Sequence, residues 1–120
     1  MASSSETNYE DRFSIDRNPV WEKVLVFTFV SGDTTEEKIA IPINGLLQKI
    51  IAVCGAAAIT HTVAIDDNGD NEIFSVAALA ASSNNKYNVS EPLRGTIDVG
   101  VLPSGNPGAT NIVTVTLRGV

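Results

Sequence analysis

From residue 20 onward, apolar and polar residues alternate with a period of two, which is the pattern of half-buried β-strands. In residues 20–31 (VWEKVLVFTFVS), Trp21, Leu25, Phe27 and Phe29 share one face. Val24, Val26 and Val30 share the other, which predicts a strand covered on both sides. Ile39, Ile41 and Ile43 alternate with Lys38, Ala40 and Pro42. Proline cannot donate to a ladder, so this strand is expected at an edge or at its end. Residues 46–54 form an apolar run, read as a strand because Ile50, Ile51 and Val53 are β-branched. Ile59, His61, Val63 and Ile65 alternate next, followed by strands at 72–79 and, briefly, 86–89. Ile97, Val99 and Val101 point inward in the next strand, and Val113, Val115 and Leu117 in the last.

Turn residues separate these segments: Asn44-Gly45, Asn68-Gly69, residues 82–85 (SSNN) and residues 103–108 (PSGNPG). About eight short strands with such punctuation predict an all-β, single-domain β-sandwich of jelly-roll type over residues 20–120. Residues 1–19 differ. They are rich in Ser, Asn and charge, with only Tyr9, Phe13 and Ile15 as spaced apolar residues. They read as an extended N-terminal arm without a core of its own, able to order against a neighbour.

Composition narrows the partners. The formal net charge of −6 repels phosphate backbones and anionic lipid, so neither nucleic acid nor membrane is expected as a partner. The longest apolar run is about ten residues, short of the roughly 20 that a spanning helix needs. One cysteine, Cys54, excludes an intramolecular disulfide, which fits synthesis in a reducing cytoplasm. The first residues carry neither the basic nor the apolar region of a secretory signal.

The candidate chemistry is sparse. Residues 64–75 (AIDDNGDNEIFS) place Asp66, Asn68 and Asp70 at the spacing of a calcium loop. Such a loop then needs glycine and, six residues later, a bidentate acid, where this chain has Asn71 and Ala77. The turn reading needs only Asn68-Gly69, a type I′ hairpin signal. Cys54 and His61 could form a thiolate–imidazole pair, but no elbow glycine motif surrounds the cysteine, and a buried thiol and a core histidine are expected. No phosphate-cradling loop is present. No catalytic residue, cofactor or metal is assigned, and no enzyme activity is expected.

The order of pieces in TVAIDDNGDNEIFSVAAL and in KYNVSEPLRGTIDVGVLPSGNPGATNIVTVTLRGV resembles the small β-rich capsid decoration, or cement, proteins of tailed bacteriophages. The likeness covers residues 43–120 and is one of strands and turns. It implies a structural virion protein on the outer capsid surface, bound at junctions between major capsid proteins and stabilising the shell. It also implies a homo-oligomer, dimer or trimer. Tyr9, Phe13 and Ile15 are then the expected partner-binding anchors of the arm, with Trp21 at its root. Two alternatives stay open: a tail or baseplate adhesion module that binds host glycan, and a small calcium-dependent binding module.

Overall fold

The computed structural model describes residues 2–11 and 20–120. These form nine strands: β1 (Ser3–Asp11), β2 (Val20–Phe29), β3 (Glu37–Pro42), β4 (Gly45–Val53), β5 (His61–Asp66), β6 (Glu72–Leu79), β7 (Asn84–Leu93), β8 (Thr96–Pro103) and β9 (Asn111–Gly119). No helix is present among the described residues. One sheet has the order β1-β2-β9-β4-β7 and the other β3-β8-β5-β6, and every pairing is antiparallel.

The topology follows from one ribbon wound on itself. β2 pairs with β9, β3 with β8, β4 with β7, and β5 with β6. Alternate pairs fall in opposite sheets, which is the jelly roll expected from the sequence. Eight strands, β2 to β9, complete the roll. β1 is a ninth, hung on the edge of β2 with Ser3 opposite Thr28 and Asp11 opposite Val20.

The core lies between the sheets and is built by the alternation. Leu25, Phe27 and Phe29 from β2, Ile50 and Ala52 from β4, and Val113, Val115 and Leu117 from β9 line one side. Ile41, Val63, Ile65, Ile97, Val99 and Val101 line the other. Most are fully buried, each worth about 1.5–3 kcal/mol in removed apolar surface. Trp21 closes one end at 6% exposure. A β-carbon on Gly119 would strike the Trp21 ring and the Leu46 carbonyl, so glycine is what lets the last strand pass beneath the indole.

Three features differ from the pattern in the sequence. β7 runs for ten residues, because its edge position lets a mostly polar strand alternate between half-buried and exposed sites. Residues of the expected arm form β1, whose pairing uses the backbone of β2 and leaves no apolar signal. Lys23 occupies the buried face of β2, in phase with Trp21 and Leu25, at 3% exposure. Its Nζ lies 3.4 Å from Glu6 Oε1, a carboxylate that β1 brings to the same face.

Candidate functional site

The acidic loop joins β5 to β6 and folds around one carboxylate. Asp67 Oδ1 accepts hydrogen bonds from the Gly69 amide (2.8 Å), the Asn71 amide (2.9 Å) and Asn71 Nδ2 (3.2 Å). The Asp70 amide donates to the Asp67 carbonyl at 3.1 Å, and the Asp67 amide to the Asn71 carbonyl at 2.8 Å. Asp70, with φ of 60°, takes the left-handed position, while Asn68 and Gly69 keep negative φ. The loop is therefore a type I turn followed by a left-handed residue, in place of the expected type I′ turn. The Asp67 carboxylate decides this, because it clamps the amides two and four residues ahead. Those amide bonds, Asn71 first and then Gly69, hold the Asp67 carboxyl below its usual range.

Asp66, Asn68 and Asp70 do not converge. Asn68 turns back onto the chain and its Oδ1 accepts from the Thr96 amide at 3.4 Å. No group of three or more metal-ligating residues is assembled among the described residues. Asp67, Asn68, Glu91 and Arg94 border a polar depression of about 390 Å³ beside the loop.

His61 and Cys54 are both interior. His61 is 1% exposed on the inward face of β5, with its ring 6.4 Å from that of Phe29. Asn111 holds it from β9. The Ala57 amide donates to Asn111 Oδ1 at 3.3 Å, which fixes the orientation of the side-chain amide. Asn111 Nδ2 then donates to His61 Nε2 at 3.0 Å. A nitrogen that accepts cannot carry a proton, so the imidazole is neutral with its hydrogen on Nδ1, which has no partner among the described residues. Burial pushes the His61 pKa down. Cys54 is 4% exposed, and burial pushes its thiol up, partly offset by a hydrogen bond with Ser83. The imidazole thus faces Asn111 and the thiol faces Ser83, and neither has the exposure that nucleophilic chemistry needs.

The proposed arm anchors fall differently. Tyr9 pairs through its backbone with Glu22, and its side chain lies outside the described residues. Phe13 and Ile15 also lie outside them. Trp21 sits in the core, its indole nitrogen buried beside Gly45. A small, mostly apolar cleft of about 230 Å³ opens between the sheets, lined by Leu47, Ile50, Ile73, Phe74 and Val89 with Ser90 and Glu91. Phe74 of that lining packs against Tyr87 at a ring separation of 5.3 Å. This cleft is smaller than the roughly 300 Å³ of the smallest usual ligand pockets.

No family model matches the sequence, and no curated protein matches it. Among solved structures, the chain is similar to the Bacillus endospore appendages, described as a family of disulfide-linked pili. The identity is 16%, with 97% of this chain and 90% of that chain covered, at a TM-score of 0.57. It is also similar to the Yersinia pseudotuberculosis-derived mitogen (11% identity, 98% and 88% covered, TM-score 0.45). A third is the CBM36-1 domain of a multidomain xylanase from the hindgut metagenome of Trinervitermes trinervoides (11% identity, 97% and 98% covered, TM-score 0.45). None of these three is a capsid decoration protein. At such identities the likeness is one of fold alone, a β-sandwich that hosts unrelated functions.

Proposed function

We propose that this chain is a structural virion protein, a capsid decoration protein that binds the outer surface of a phage capsid between major capsid proteins and stabilises the shell. The observation that carries the reading is the division of labour along the chain. β2 to β9 close the roll without help, while β1 is a polar strand on its edge. Such a strand can exchange its partner for an edge of a neighbouring shell protein and leave the apolar core between the sheets in place, with Glu6 withdrawn from Lys23. The residues expected to anchor that contact are Tyr9, Phe13 and Ile15, with Trp21 fixing the root of the arm from inside the sandwich. The resemblance of residues 43–120 to decoration proteins supports the same assignment. On a repeating shell, many weak contacts of this kind act together.

The disulfide linkage named for the endospore appendages is not carried over. Cys54, the one cysteine, is 4% exposed, so copies cannot be joined through it without opening the end of β4. The test is co-sedimentation with capsids of the encoding phage, using the full chain and a chain lacking residues 1–19. Saturable binding by the full chain and weakened binding by the truncated one are expected. Equal binding by both removes the arm from the account, and binding to tails alone replaces decoration with the tail-module reading.

A further inference from the structure

The outward side of the five-stranded sheet is unusual for an acidic chain. Reading across it from β1 to β7, one row is Ser5, Val26, Thr114, Val53 and Asn84. The next is Thr7, Val24, Thr116, Ile51 and Lys86. A charged row follows, Glu22, Arg118 and Lys49, and Ile112 lies beyond the opposite end, beside Thr28. Val53 and Ile112 are 40% and 47% exposed. Valine, isoleucine and threonine thus tile the centre, and Lys86 at the margin is the one charge in the first two rows. The alternation in the sequence marks β2 as apolar on both faces; the register shows what its second face joins.

We propose that this face is a two-fold interface between two copies of the chain. β9 is the middle strand, with β2 and β1 on one side and β4 and β7 on the other. The rows read nearly the same in both directions from β9: polar, valine, threonine, valine or isoleucine, polar. An isologous interface requires such self-complementarity. A half-turn about an axis along β9 sets Val26 against Val53 of the second copy and Val24 against its Ile51. Thr114 meets its own equivalent. The same rotation sets Glu22 against Lys49 of the second copy, an opposite-charge pair made twice. The axis also brings Arg118 to its own equivalent, and Glu22 of the same chain, 3.2 Å from each Arg118, offsets that like-charge contact.

Size and charge favour this occupant. Five strands spaced about 4.8 Å apart and three rows about 6.8 Å apart give a face of roughly 24 by 20 Å. Two such faces bury about 1,000 Å² together, the lower bound for a specific interface. Twisted sheets pack in this way with strand directions within about 30°. The outward face of the other sheet cannot serve. Asp98, Asp66 and Glu72 lie directly opposite one another there, and a second copy would face the same carboxylates.

The inference goes beyond the decoration reading and does not depend on it. Sedimentation velocity on the full chain is expected to show a reversible dimer. Val53→Lys and Thr114→Arg are each expected to raise the dimer Kd at least about 100-fold, as for central contacts of an interface. Leu102→Lys, equally exposed at 40% but on the other sheet, is expected to leave it unchanged. Glu22→Lys and Lys49→Glu each weaken the dimer, and the double exchange restores it. Circular dichroism reports whether each variant folds. A second route avoids disruptive residues: Thr114→Cys is expected to crosslink with a short bis-maleimide and Leu102→Cys is not. A wild-type chain that stays monomeric overturns the proposal, as does a dimer indifferent to Val53→Lys and Thr114→Arg. A chain that dimerises as described yet ignores capsids defeats only the decoration reading.

Discussion

Lowering the pH from 6.5 to 5.5 is expected to destabilise this protein through one residue. His61 is the chain's only histidine, and its Nε2 accepts from Asn111 Nδ2 at 3.0 Å. A proton on Nε2 would place two donors face to face. Turning the Asn111 amide to relieve this would cost the bond from the Ala57 amide. The folded protein therefore resists protonation, while the unfolded chain takes the proton near pH 6.5. Between 6.5 and the lowered folded value, the unfolded state binds more protons, so stability rises with pH and falls on acidification. The slope approaches about 1.4 kcal/mol per pH unit, and the loss ends once the pH falls below the folded value. Free carboxylates titrate near 4, so the range from 6.5 to 5 belongs to His61. Urea unfolding at several pH values, on the wild type and on His61→Phe, measures this directly. The His61→Phe substitution leaves Asn111 Nδ2 without its acceptor, at about 1–3 kcal/mol, so the readout is the slope and not the absolute stability. The wild type should lose stability across this range while the variant stays flat. Parallel curves, or a His61 resonance titrating at 6.5, would refute the reasoning.

Two further expectations concern local structure. Gly119→Ala places a methyl group against the Trp21 ring and the Leu46 carbonyl, and should cost about 1–3 kcal/mol in urea unfolding with a change in tryptophan fluorescence. Asp67→Ala removes the clamp of the acidic loop and should lower the Tm, whereas Asp70→Asn should not; added calcium or a chelator should leave the wild-type melt in place, and a calcium-dependent rise in Tm would restore the metal reading.

The fold was legible where burial follows alternation. In β2, β5, β8 and β9 buried positions recur with a period of two, and their β-branched and aromatic residues leave little choice of structure. β1 was not legible as a strand, since Ser3–Asp11 carries no apolar stripe and is held by backbone pairing on an edge. Lys23 was hidden for the opposite reason. It breaks an apolar face, and the pairing of β1 that brings Glu6 beside it is not visible in the sequence. The loop at Asp67 was correctly a turn, but its type depended on a side chain reaching amides two and four residues ahead. The face around Thr114 illustrates the limit best. Its residues come from five strands spread over most of the chain, so the near-mirror order of Val26, Thr114 and Val53 exists only once the register is known.

The proposed decoration role is decided by electron cryomicroscopy of phage capsids saturated with the purified protein. Discrete density is expected on the outer surface, compatible with Cα extents of 46 × 29 × 22 Å, at fixed positions between major capsid proteins with a strand reaching toward a neighbour. Bare capsids at saturating protein, or density confined to the tail, would contradict it.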